Sequence, residues 1–190
     1  VEIPPRSGKS ELCSTYFPAW YLGRHPNHRI MLASYEATLA GSFSEKARDV
    51  LLTYGLEVFG VQVHRRRTRV GDWRMAPPFT GGLLCSGVKG GFTGRGGNCL
   101  IIDDPVRNAE EAQSPLIRNK IWDWYLSTVR TRLEPDGVLL VIMTRWSEDD
   151  LVGRIRQQMK EGGDQWESVT LPALAEADDP LGRAPGEGGA

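Results

Sequence analysis

The chain has 190 residues, 40% of them hydrophobic and 25% charged, which suits one soluble domain with a real core. Its 23 basic and 24 acidic residues nearly cancel and the pI is near 6.4, so there is no global sign of a nucleic-acid binder and any such contact must be local. No run approaches the roughly 18 apolar residues of a membrane helix and no signal-peptide pattern opens the sequence, so a cytoplasmic protein without a membrane partner is expected.

The first predicted element is a loop and helix. Residues 3–10, IPPRSGKS, close on Gly8-Lys9-Ser10, the end of the phosphate-loop pattern GxxxxGK[ST]. In that pattern backbone N–H groups wrap phosphates, the lysine reaches the terminal phosphates and the hydroxyl holds Mg²⁺. The first glycine of the pattern falls on Ile3. Residues 10–22 then supply a helix whose N-terminal dipole favours an anion. Cys13 in that helix, with Cys85 and Cys99, makes an odd set without a CxxC pair, read as small core residues. His25 and His28 form an HxxH, but Pro26 and Asn27 make it a turn and it is not read as a metal site.

Residues 29–34, RIMLAS, read as a buried strand, and residues 36–54 as a helix with Leu39, Phe43, Ala47, Val50 and Leu51 on its apolar positions. Residues 56–86 read as short strands and turns. They contain the one dense basic run, HRRRTR at 64–69, which is either a solvated face or, through Arg65, Arg66 and Arg67, a contact for DNA phosphates; charge runs favour the solvated face. Residues 98–104, NCLIIDD, are a continuous apolar run ending in two carboxylates, the pattern of a buried parallel strand whose carboxyl end faces a ligand. Asp103 is then expected beside Ser10, holding Mg²⁺, with Asp104 orienting or deprotonating a water; Pro105 leaves open that the two aspartates simply start a turn. A helix is expected over 109–133, a buried strand over 138–143 and a helix over 148–160. Trp20, Trp73, Trp122 and Trp124 are read as packing residues. This alternation implies an α/β fold with a mainly parallel sheet and helices on both faces, and the loop ending in Gly8-Lys9-Ser10 together with the strand ending in Asp103-Asp104 reads it as a P-loop NTPase, RecA/ASCE-like.

Three ordered blocks, PPRSGKSE at 4–11, GVKGGFTGRGGNCLIIDDPVRN at 87–108 and TRWSEDDLVGRI at 144–155, resemble the ATPase domain of phage large terminases, as does SYEATLAGSFSEKAR at 34–48. The resemblance implies a motor that couples hydrolysis of ATP with Mg²⁺ to packaging of double-stranded DNA into a procapsid. It also implies a portal protein and a small terminase subunit as partners and a homo-oligomeric ring. A Pro-Pro-Arg-x-Gly-Lys-Ser loop without the first glycine is common in that family. The family's acidic pair is often Asp-Glu, and Asp104 is one methylene shorter.

By this resemblance Pro5, Arg6, Ser7, Gly8, Lys9, Ser10 and Glu11 bind ATP, and Ser10 and Asp103 hold Mg²⁺. Asp104 is the catalytic carboxylate, and Arg95 or Arg6 the arginine that stabilises the transferred phosphoryl; Arg95 capping a turn or pairing with a carboxylate is the alternative. Lys89 and Arg107 add positive charge in the same region. Thr144, Arg145 and Trp146 form the coupling motif, at the same sheet edge as Asp103. The other readings are a helicase-like nucleic-acid-dependent ATPase and a nucleotide-binding module without hydrolysis. No Met begins the sequence and little room precedes the loop, so a fragment is expected. It comprises the ATPase domain over 1–170 and, over the Pro-, Gly- and acid-rich residues 171–190, a linker toward a nuclease that lies outside it.

Overall fold

In the computed structural model, residues 1–4, 6–88, 90–92, 94–172, 174, 175, 177, 179 and 182–186 are described. The readings placed on Pro5 and Lys89 fall outside them. The chain builds a six-stranded sheet in the order β2-β3-β4-β1-β5-β6, from β1 (Arg29–Ser34), β2 (Val63–Arg69), β3 (Asp72–Met75), β4 (Gly82–Gly87), β5 (Gly97–Asp103) and β6 (Leu133–Ile142). β4, β1, β5 and β6 are parallel, and the β2–β3 hairpin joins antiparallel at the β4 edge. Beyond β6 the sheet continues by single bridges: Glu2 pairs in parallel with Met143 on one side and Thr170 on the other. The chain entering the loop at 4–10 is thus separated from β5 by one strand, β6.

Both faces are covered. α1 (Phe17–Arg24) and α2 (Ala37–Phe59) pack with Ile30, Leu32, Cys99, Ile101 and Ile142, while α4 (Pro115–Trp124) and α5 (Leu151–Lys160) pack with Met31, Ala33, Leu100, Ile102 and Val141. Alternate residues of the same strands serve opposite cores, so the central strands read as unbroken apolar runs. The register aligns Ser34, Asp103 and Ile142, and the carboxyl ends of β1, β5 and β6 finish level.

Some elements differ from expectation. The helix expected over 36–54 runs to Phe59 and stops at Gly60, whose left-handed φ of 71° ends it as glycine readily allows. The helix expected over 109–133 is broken into α3 (Ala109–Gln113), α4, a π-helical turn at Tyr125–Val129 and a 3₁₀ turn at Arg130–Arg132, and β6 begins at once at Leu133. Pro115 explains the first break, because it drives Ser114 into an extended conformation (φ −78°, ψ 112°). α5 starts at Leu151, with the Asp150 carboxylate accepting from the Gly153 N–H. Trp73 is fully buried, whereas Trp20 is half exposed and is not the packing residue expected.

The hairpin is anchored through Trp73, whose indole N–H donates to Ser44 Oγ at 3.0 Å while that hydroxyl donates to the Val70 carbonyl at 2.6 Å. Ser44→Ala leaves a buried indole N–H without an acceptor. It is expected to lower unfolding stability by about 1–3 kcal/mol in urea titrations.

Candidate active site

The loop enters its helix through two left-handed residues, Arg6 (φ 64°) and Gly8 (φ 74°). Gly8 takes this conformation freely. Its carbonyl accepts from the Leu12 N–H, and the helix begins at residue 9, leaving the first N–H groups directed at the loop. The first full turn, Glu11–Tyr16, is π-helical, a widening often found at functional sites. Arg6, Ser7 and Gly8 are exposed and Lys9 is 7% exposed.

Lys9 and the two aspartates meet at the carboxyl edge of the sheet. A buried ammonium needs an anion, and Lys9 Nζ lies 2.8 Å from Asp104 Oδ2. The other oxygen of Asp104 accepts from the Thr144 N–H at 2.8 Å, while its own N–H donates to the Ile142 carbonyl. Asp104 itself sits at φ 42°, a left-handed conformation that turns its side chain toward Lys9. Asp103 is 1% exposed; its Oδ1 accepts from Ser10 Oγ at 3.0 Å and its Oδ2 from Ser14 Oγ at 2.7 Å. Burial pushes the Asp103 carboxyl above the usual carboxylate range. The Ser14 bond counters this most, the Asp104 charge adds to the rise, and the Ser10 bond and Lys9 oppose it. A hydroxyl and a carboxylate oxygen side by side are the hard oxygen donors that Mg²⁺ takes together with phosphate. Among the described residues no group of three or more His, Cys, Asp and Glu side chains forms an all-protein metal site.

The other expected residues are placed more widely. Glu11 pairs with Lys46 of α2 at 2.7 Å. Arg145 directs its guanidinium to Asp150 Oδ2 at 2.6 Å and Glu2 Oε2 at 3.2 Å, and Glu2 also accepts from Arg156. The triplet Thr144-Arg145-Trp146 thus meets the aspartates through the Thr144 backbone, and Arg145 ties the end of β6 to the chain entering the loop. Trp146 is 44% exposed and lines a small apolar pocket with Ile121 and Leu151. Arg95 precedes β5, so the length of that strand, about 20 Å, separates it from Asp103. Its guanidinium pairs with Asp72 at 2.6 Å, the carboxylate partner that the sequence left as an alternative to the finger role. Arg65, Arg66 and Arg67 are exposed on β2, the outer strand of the hairpin, and Arg107 is exposed. Ser14, Glu2 and Asp150 were not singled out from the sequence; Ser14 alone carried a signal, a second hydroxyl four residues after Ser10 on the same helix face.

The family model described as "Terminase large subunit, T4likevirus-type, N-terminal" matches residues 1–189. The crystal structure of the HK97 bacteriophage large terminase superposes with a TM-score of 0.57 at 17% identity, covering 96% of this chain and 36% of that one. The chain therefore spans about a third of the length of that terminase, and the superposition establishes the shared fold. No curated protein matches the sequence.

The raised position of Asp103 sets a pH dependence. When the folded-state value of an acid lies above its unfolded one, its contribution to stability is fully present below the ordinary carboxyl range and is lost as pH rises through the raised value. The ionised group therefore weighs against folding at neutral pH. Asp103→Asn is expected to raise the thermal midpoint at about pH 7, with the gain shrinking toward about pH 4. Melts followed by circular dichroism check this, and a lowered midpoint at neutral pH counts against it.

Proposed function

We propose that this chain, which belongs to the terminase large-subunit family, binds and hydrolyses ATP with Mg²⁺ at the carboxyl edge of its sheet, and that this hydrolysis drives packaging of double-stranded DNA into a viral procapsid. The observation that carries the reading is the meeting of Lys9, Ser10, Asp103 and Asp104 at the N-terminus of one helix. Backbone N–H groups of the loop and the helix dipole receive the phosphates. Lys9 exchanges Asp104 for a phosphate oxygen, which frees the Asp104 carboxylate to orient the attacking water and take its proton. The water oxygen bonds to the γ-phosphorus as the bond to the β–γ bridging oxygen breaks, giving ADP and inorganic phosphate. Ser10 and Asp103 hold Mg²⁺, which supplies charge neutralisation at the phosphates.

The bond from the Thr144 N–H to Asp104 gives this exchange a mechanical outlet, since a change in the charge opposite Asp104 is felt at the first residues after β6. Arg6, exposed in the loop, is a second cation, after Lys9, within reach of a nucleotide bound to the same chain. Arg95, a strand's length away, serves a neighbouring copy in a ring. The exposed Arg65, Arg66 and Arg67 track DNA phosphates by charge alone. A portal protein and a small terminase subunit complete the assembly, in the host cytoplasm. Among the described residues no helix is long and apolar enough to cross a membrane.

ATP turnover of the full-length protein, with and without double-stranded DNA, tests the reading. Lys9→Ala and Asp104→Asn are each expected to reduce turnover by about 10²-fold or more, and DNA to raise that of the native protein. Nucleotide binding without turnover under any condition supports a non-hydrolysing module in place of the motor.

A further inference from the structure

Asp103 is held by two hydroxyls, and only one of them belongs to the phosphate-loop pattern. Ser14 lies one turn beyond Ser10 and is fully buried. A serine inside a helix usually bonds back to the carbonyl four residues earlier or points to solvent. Ser14 instead donates across to Asp103 Oδ2, at a shorter distance than Ser10 donates to Oδ1, 2.7 against 3.0 Å. The π-helical turn spans Glu11–Tyr16 with Ser10 as its N-cap, and Ser10 and Ser14 each donate to Asp103 at the end of β5. Ser34, level with Asp103 in the adjacent strand and also fully buried, does not take this role, for among the described residues its hydroxyl has no hydrogen-bond partner.

We infer that Ser14 is a positioning residue: it pins one oxygen of Asp103 so that the other stays presented to Ser10 and to the Mg²⁺ of a bound nucleotide. The inference rests on the nucleotide reading above. A carboxylate held at one oxygen only can rotate about its last torsion, which is broad and soft for aspartate. Partners of this kind, which touch a ligating group rather than the metal, typically change metal affinity by about 10- to 100-fold.

The test is calorimetric titration of Mg²⁺ into the full-length protein saturated with ADP, alongside melting of each variant in EDTA to confirm folding. Ser14→Ala is expected to weaken Mg²⁺ binding by about 10-fold or more, while ADP binding without the metal stays within about twofold of the native protein. Ser14→Cys, close in volume and a weak donor, is expected to fall between the two and keeps the test open should the alanine variant fold poorly. Ser34→Ala removes a neighbouring buried hydroxyl and is expected to leave Mg²⁺ binding unchanged. Equal Mg²⁺ affinity in Ser14→Ala and the native protein overturns the positioning role alone, as does an equal loss in Ser34→Ala. A native protein that binds no ADP overturns the nucleotide reading and this inference with it.

Discussion

The structure depends on a charge problem at one spot. Lys9, Asp103 and Asp104 are brought together where helix and sheet edge converge, and two of them are almost wholly out of water. Unpaired buried charges would be costly, so each of these charges has its partners: Asp104 has Lys9 and the Thr144 backbone, and Asp103 has Ser10 and Ser14. In the proposed function the arrangement trades stability for readiness, a carboxylate kept dry so that its charge acts at full strength.

The sheet makes this affordable. Each central strand is sealed by helices on both faces, and its parallel neighbours end level, so the residues just past β1, β5 and β6 emerge as one row. Side chains aimed from such an edge inherit the rigidity of two packed cores. The Glu2 carboxylate adds a tie across that row. It accepts from Arg145 after β6 and from Arg156 in α5, while the Glu2 backbone bridges Met143 and Thr170. In the proposed cycle this joins the chain entering the phosphate loop to the helix that follows the coupling triplet.

Much of this was legible in the residues. RIMLAS forms β1 at the expected bounds, NCLIIDD forms most of β5, and GKS opens a helix, because each is a local pattern matched to its surroundings. The helix expected over 109–133 failed because apolar spacing does not register a proline break or a shift into π and 3₁₀ turns. The side-chain partners were harder still. Arg95 meets Asp72, 23 residues earlier in sequence, and Arg145 meets Glu2, 143 residues away. No spacing rule announces pairs that only the assembled sheet creates. Ser14 lies between these cases, visible as a second hydroxyl on the helix face but meaningful only once Asp103 stands opposite.

The basic hairpin has a consequence of another kind. β2 forms the outer edge of the sheet, the place where another strand could add, though there the Arg66 N–H already donates to His64 Nδ1 and the Thr68 carbonyl accepts from Arg48. That edge carries Arg65, Arg66, Arg67 and Arg69, all exposed. Two copies approaching edge to edge there would bring like charges together at strand spacing, about 5 Å. The sheet therefore resists lengthening into a continuous β-structure through β2, and copies that associate must do so through other surfaces.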